Sequence, residues 1–359
     1  MNSFPTAQFQ LQFIAYLQRL LVEGDFVATY KFALLHALAD VCITKRADEG
    51  VITIDELAEK FIELYWRHSL PYSEHERLHQ STGKQAKLIT ELGLLRDQNL
   101  QSFSRVKASP AWGKLLTQAK RTLQDGPLWR LQILQRAPVC FLYPHSMSRS
   151  HIELNAGVVS CFQRFYDLVI SLARSHWLDK IRSIGANQSL IGESDLDSFL
   201  FGSARASLTQ VQPLLLDIQK GCCFYCQKPI NAHNGVKERG EVDHFIPWAR
   251  YPTDLGHNFV LAHSRCNNSK SAHLACQSHA DRWYEQNILL HGGLIEDELE
   301  AYFTCDAERS VAVVKWAYQL AHQNELSLWV EKNQFMGAVE RKSVSAETFC
   351  GYKRDDLVE

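Results

Sequence analysis

Apolar residues recur every three or four positions along most of this chain, the period of helices with one buried face. Residues 9–23 and 28–42 show it, the second through Phe32, Leu35, Leu38 and Ala39, and predict a helical pair broken at Gly24-Asp25. Thr53 and Glu56 form a capping-box signature that opens a third helix to about His68, with Leu57, Phe61, Leu64 and Tyr65 on one face. A further helix is expected near residues 83–95, and a short strand at Phe103 to Val106. Residues 1–125 therefore read as a helical N-terminal domain, winged-helix-like if that strand forms. Such stripes are more often core than recognition surface, so the segment's other use is to dock a partner or the rest of the chain.

Residues 126–204 read as a connector and packing region. It holds one short buried strand around Val139–Leu142, then an apolar helix from His151 to Ile184 carrying Phe162, Phe165, Tyr166, Val169, Leu172 and Trp177. The basic end of that helix, Arg174, Lys180 and Arg182, suits either a DNA backbone or the negative end of the helix dipole. Helices at 196–202 and 205–220 lead directly into a segment of short apolar runs. Val242 lies in one run ended by Pro247, and Phe259, Val260 and Leu261 form another. Cys266-Asn267-Asn268-Ser269-Lys270 then begins a polar stretch suited to a helix start, so residues 205–290 form a domain ordered strand, loop, strand, helix. Helices at 272–290, 295–303 and 308–331 follow, and 291–359 is a helical C-terminal region ending in a solvated Lys353-Arg354-Asp355-Asp356. The expected fold class is mainly α with an embedded ββα unit, α+β overall.

A length of 359 residues allows two or three domains, and 46% hydrophobic residues is ordinary for a soluble globular protein. The formal net charge is −2, so any nucleic-acid contact must come from a local basic face. Ten cysteines lack the spacing of a disulfide framework, which makes a reducing cytoplasm the expected compartment. The opening MNSFPTAQFQLQF lacks the basic start and continuous apolar core of a signal peptide, and no stretch approaches the roughly 18 apolar residues that span a bilayer. No membrane is implied.

Cys223 and Cys226 are separated by two residues, and His263 and Cys266 repeat that interval. Two such pairs can close on one tetrahedral ion, and soft donors with no open position mark it as a structural Cys3His zinc site. Buried free thiols are the plain alternative. Cys222 is left out, because its interval to Cys226 does not suit a tight turn. Inside the clasp lie Asp243-His244, on the first run, and Asn258, just ahead of the second. Neighbours on a strand point to opposite faces, so one can hold a metal while the other addresses a water.

The order Asp-His, then Asn, then Cys-Asn-x-x-Lys, bracketed by paired zinc ligands, resembles the HNH endonucleases of the ββα-metal (His-Me finger) class over about residues 221–275. The resemblance implies His244 as general base and Asn258 as the residue that orients it. It implies Asp243 and Asn267 as ligands of a catalytic divalent cation, and Lys270 near the phosphate. His263 stands where zinc-bearing members more often have a cysteine. Asn268 is a lesser ligand candidate, while His257 and His233 are expected on the surface or in loops.

These residue types also suit the chemistry on their own terms. Hydrolysing a phosphodiester needs an activated water, neutralised charge on the non-bridging oxygens and a stabilised leaving oxygen. A neutral imidazole, with an unperturbed pKa of about 6.5, serves the first. A Mg2+ or Mn2+ ion on Asp243 and Asn267 serves the other two. The expected protein is a metal-dependent endonuclease with structural Zn2+, acting on nucleic acid, with DNA the leading substrate. By resemblance the products carry 5′-phosphate and 3′-hydroxyl ends. Lys270, Arg250 and Arg265 are the candidate nucleic-acid contacts, with Lys237 and Arg239 in the same region. Selectivity is expected from the remaining domains or from a regulatory or specificity protein partner, and restriction or anti-phage defence is the setting the resemblance suggests. The rivals are a non-catalytic zinc-finger module that binds nucleic acid, and a partner-binding scaffold built around a structural zinc.

Overall fold

The computed structural model describes residues 5–338 except 25, 74–75, 99, 101, 146–147, 193–194, 203–204 and 231–239, and of residues 205–207 only the backbone. Helix α1 (Ala7–Glu23) starts where the Thr6 hydroxyl accepts from the Phe9 N–H. Helix α2 (Tyr30–Thr44) is buried on every side from Lys31 to Ile43, which makes it the central helix of the fold. Strand β1 (Val51–Thr53) runs directly into α3 (Ile54–His68), and both halves of the capping box form. The Thr53 hydroxyl accepts from the Glu56 N–H, and the Glu56 carboxylate accepts from the Thr53 N–H at 2.8 Å. Helices α4 (Lys87–Asp97), α5 (Phe103–Ala108), α6 (Trp112–Asp125) and the short α7 (Pro127–Arg130) follow.

Phe103–Val106 is thus helical, and the strand expected there does not form. The Ser102 hydroxyl caps α5 by accepting from the Arg105 N–H, and Phe103 and Val106, three residues apart, are both buried. The described residues of 102–125 hold no strand to build a wing. The strand expected around Val139–Leu142 is displaced as well. Strands β2 (Ile133–Leu134) and β3 (Ala137–Pro138) make a two-residue hairpin whose turn, Gln135-Arg136, takes positive φ at both positions. The buried Gln132 side chain accepts from the Leu142 N–H and donates to the Tyr143 carbonyl, so that backbone is satisfied without a ladder.

The span His151–Ile184 is three elements. Strand β4 (His151–Glu153) pairs antiparallel with β1, with Ile152 opposite Ile52. Gly157, at φ 85°, then turns the chain into α8 (Val158–Arg164), and α9 (Tyr166–Ser183) follows. Helices α10 (Leu196–Phe201) and α11 (Arg205–Ile218) lead to strand β5 (Glu241–His244), then β6 (Phe259–Ala262) and α12 (Ser264–Lys270). Helix α13 (Gln277–Tyr284) continues as a π-helical turn over Glu285–Leu290, before α14 (Gly292–Leu299) and α15 (Ala307–Gln323). The last helix stops short of the expected residue 331. Glu325 adopts φ 51°, and the chain becomes β7 (Ser327–Glu331), paired with β8 (Gln334–Gly337) and bonded through Trp329 to Leu274 and Cys276.

The structure is therefore mainly helical with small two-stranded sheets. Helix α2 packs on α3, α8, α9 and α15. A buried polar network ties those helices to the β5–β6 loop. Arg309 of α15 makes two bonds to the Glu63 carboxylate, at 2.7 and 2.9 Å, lies 3.6 Å from Asp40, and donates to the Tyr251 hydroxyl. Burial opposes ionisation of Glu63, but Arg309 and Lys60 outweigh it and hold this carboxyl well below the usual range. The Tyr166 hydroxyl donates to Asp40 at 2.6 Å. Among the described residues, no helix is long and apolar enough to cross a membrane.

Candidate active site and metal clasp

Gly221, at φ 72°, turns the chain from α11 into the Cys223–Cys226 knuckle. The Phe224 N–H donates to the Leu261 carbonyl, and the Gln219 side chain bonds both the N–H and the carbonyl of Leu261. The knuckle is thereby fastened against β6. Cys223, Cys226, His263 and Cys266 converge, with one ligand atom from each within 4.8 Å of the others. His263 Nδ1 lies 3.3 Å from the Cys226 sulfur, while Nε2 lies 3.1 Å from the Pro229 carbonyl. A proton on Nε2 satisfies that carbonyl and turns the Nδ1 lone pair toward the sulfurs, the arrangement of a ligating imidazole held from behind. The Cys222 sulfur points elsewhere, to the Lys220 carbonyl.

Contact with Cys266, aided by the N–H groups of Cys226, His263 and Tyr225 and opposed by burial, pushes the Cys223 thiol down. The same contact, with burial and the charge of its neighbours, drives Cys266 up. Three thiols this close resist ionising together unless a dication lies among them. A Cys3His donor set is soft and closed, and fits zinc in a structural role.

Strands β5 and β6 pair antiparallel, with Asp243 opposite Val260 and His244 opposite Phe259, and α12 begins two residues after β6. Glu241 and Asp243 share one face of β5, and His244 takes the other. On the first face, Asp243 is buried, its Oδ2 accepting from the Tyr225 hydroxyl at 2.5 Å and lying 2.9 Å from Lys270 Nζ. Glu241 accepts from the Ser264 hydroxyl at 2.6 Å and from the Asn267 amide at 3.0 Å. With its amide nitrogen so engaged, Asn267 keeps its oxygen for another partner. On the second face, His244 Nε2 lies 2.8 Å from Asp254 Oδ1, each side chain 12% exposed. The imidazole packs between Trp248 and Phe259, at ring separations of 5.3 and 5.1 Å.

Residues 223–276 match the family model of HNH endonucleases, which supports a nuclease at the family level. Residues 10–200, just over half of the chain, match the model of a domain of unknown function, DUF8808. The chain belongs to the DUF8808 family. No curated protein and no solved structure matches it. The DUF8808 region covers α1 to α9, so the HNH segment is docked through Tyr251 and Arg309 onto the helical body that the family defines.

Several expected roles change once the contacts are seen. Asn258 does not touch the His244 ring. Its amide oxygen accepts from the Ile246 N–H at 2.8 Å and its nitrogen donates to the Ile246 carbonyl at 3.0 Å, clamping the turn after β5. Lys270 presents no ammonium to a phosphate, because it is fully buried against Asp243 and the His244 carbonyl. Arg250 is half-buried, and its charge acts on Asp167 of α9. Arg174 is likewise packed inward, over Phe201 and onto the Pro252 carbonyl. Arg265 is exposed on α12, as is Asn268. His257 is fully buried, its Nε2 at 3.1 Å from the Gly292 carbonyl, rather than on the surface. Lys237, Arg239 and His233 lie outside the described residues. The sequence reading missed Asp254, Glu241 and Tyr225. Glu241 carried a signal, since it lies two residues before Asp243 and so shares its strand face; Asp254, in a loop, carried none.

Proposed function

We propose that residues 223–276 act as a zinc-fastened ββα-metal finger, a metal-dependent endonuclease that hydrolyses phosphodiester bonds in DNA. The observation that carries this reading is the His244–Asp254 contact inside a segment that matches HNH endonucleases. Asp254 accepts the Nε2 proton, which leaves the lone pair on Nδ1 to take a proton from the attacking water. The carboxylate then balances the charge the imidazole gains. Asp243 and Asn267 would hold Mg2+ or Mn2+ through a carboxylate and an amide oxygen, with Glu241 fixing the Asn267 amide. When bound, such an ion neutralises charge on the phosphate and on the departing oxygen. Cys223, Cys226, His263 and Cys266 would hold Zn2+ as a fastening only. Arg265, exposed on α12, is the nucleic-acid contact that remains of the three expected. Specificity would come from the DUF8808 region or a protein partner, in a defence setting suggested by resemblance alone and a cytoplasm suggested by cysteines that lack disulfide-framework spacing.

One observation favours a second reading, the non-catalytic binding module: the Lys270 ammonium already neutralises Asp243 at 2.9 Å. The two are separated by incubating the protein with supercoiled plasmid and magnesium or manganese, beside His244→Ala and a reaction without divalent cation. Nicked or linear product that disappears in both controls supports the nuclease. Intact plasmid that the protein still retards on a gel supports the binding module, and intact, unbound plasmid the scaffold.

A further inference from the structure

A cavity of about 350 Å³ lies where α3, α4, α9 and α10 meet the β5–β6 loop. Four guanidiniums line it, against three carboxylates. Arg309 engages two of those carboxylates, Glu63 and Asp40, and the third, Asp254, is bonded to His244. That leaves Arg67, Arg96 and Arg174 with no carboxylate in ion-pair contact among the described residues.

Backbone carbonyls and one hydroxyl hold these three cations in place without cancelling their charge. Arg67 donates to the Ser198 and Phe199 carbonyls, Arg96 to the Trp66 carbonyl and the Ser69 hydroxyl, and Arg174 to the Pro252 carbonyl. Each has donors to spare, because a guanidinium carries five N–H groups. The Arg174 Nε is shut off from solvent with no hydrogen-bond partner. Burial pushes Arg96 down to about 9 and lowers Arg67 and Arg174 also, although Asp254 acts on Arg67, and Asp40 and Asp197 on Arg174, from beyond ion-pair distance. Aromatic rings complete the lining. Trp66 and Phe201 lie beneath Arg96 and Arg174, while the half-exposed Trp248, tilted against His244, and the exposed Tyr302 carry no stacked arginine or lysine among the described residues.

We propose that this cavity binds a nucleotide, its phosphate on Arg67, Arg96 and Arg174 and its base against Trp248 and Tyr302. Planar guanidiniums fixed in advance suit phosphate oxygens, and flat rings suit a base. The volume is enough for one mononucleotide and too small for a duplex. The nucleotide is either a free one or a single unit of a strand lying across the HNH centre. Its position is adjacent to the candidate base, because Asp254 and Trp248 belong to the cavity wall and both touch His244.

The test is calorimetric titration of the full-length protein, with no divalent cation added, so that it stands whichever way the plasmid assay goes. The probes are ATP, adenosine, inorganic tripolyphosphate and a 5′-phosphorylated thymidine hexanucleotide. ATP or the hexanucleotide should bind one per chain, adenosine at least tenfold more weakly, and Arg67→Gln and Arg174→Gln should each weaken the binding at least tenfold. Trp248→Leu, which leaves the arginines in place, should remove the preference of ATP over tripolyphosphate, and serves if an arginine variant fails to fold. Tighter binding of ATP marks a free nucleotide, and tighter binding of the hexanucleotide marks a strand. Adenosine binding as tightly as ATP, no saturable binding by either phosphate-bearing probe, or affinities unmoved in all three variants would overturn the proposal.

Discussion

Replacing Asp254 with Asn removes a charge and changes almost nothing in shape. Asp254 Oδ1 lies 2.8 Å from His244 Nε2, and both side chains are 12% exposed, so solvent screens the contact little. An Asn that presents its oxygen keeps the tautomer and loses the charge. One that presents its nitrogen moves the imidazole proton to Nδ1 and abolishes the base. A hydrogen bond to a charged group contributes about 1.5–3 kcal/mol. At 1.36 kcal/mol per factor of ten, that is a loss of about tenfold to about 150-fold in the nicking rate. His244→Ala should lose about 10² to 10⁴. The double variant should be no slower than His244→Ala, because Asp254 works only through the imidazole. Single-turnover nicking of supercoiled plasmid in excess magnesium gives all three rates, and thermal unfolding checks that each variant folds. Asp254→Asn cutting at the wild-type rate would refute the positioning role. So would a double variant far slower than His244→Ala, since Asp254 would then act by another route.

Cys226→Ser should take zinc content from one ion per chain to none and destabilise the HNH segment, because a structural zinc contributes folding energy; a zinc-free variant of wild-type unfolding temperature would remove the clasp. Glu63→Gln leaves Arg309 buried with half its compensation and should cost about 3–5 kcal/mol in denaturant unfolding. A cost below about 1 kcal/mol would mean that Asp40 and Tyr251 suffice. Burial pushes His36 and His68 down to about 3 from an ordinary 6.5, so the unfolded chain binds two more protons between those values. Stability should be full above pH 6.5 and fall toward pH 3, by about 2.7 kcal/mol per pH unit at full uptake. His36→Gln should halve that slope when unfolding temperature is followed against pH, and an unchanged slope would discard the account.

The helices with strong local signals were legible in the sequence. The Thr53–Glu56 capping box forms as read, because a cap is closed by residues three apart. Strands were read poorly where their partners are distant. Phe103–Val106 is short, with two apolar residues three apart, and only Ser102, a helix cap, distinguishes a turn of helix from a strand there. Residues 327–331 continue an apolar pattern from α15, yet become a strand because Leu274 and Cys276, over fifty residues earlier, supply backbone partners. The central position of α2 was not legible either. Its stripe looked amphipathic, but Lys31, His36 and Asp40 are buried too, and Asp40 is satisfied by Tyr166 and Arg309 from far along the chain.

At the candidate site the residue types were legible and their contacts were not. Strand alternation was enough to separate Asp243 from His244, but a loop residue has no such rule, which is why Asp254 was missed. Its placement depends on how the long connection between β5 and β6 closes, and Asn258 governs that closure. The Asn258 amide grips both polar groups of Ile246, its carbonyl accepts from the Phe245 N–H, and its own N–H donates to Leu255. One residue thus fixes the chain just after His244 and just after Asp254. Asn258 was expected to hold the His244 imidazole in orientation; the contacts it makes are to the backbone on either side, so any hold it has on the ring runs through the loop that returns Asp254 to meet it.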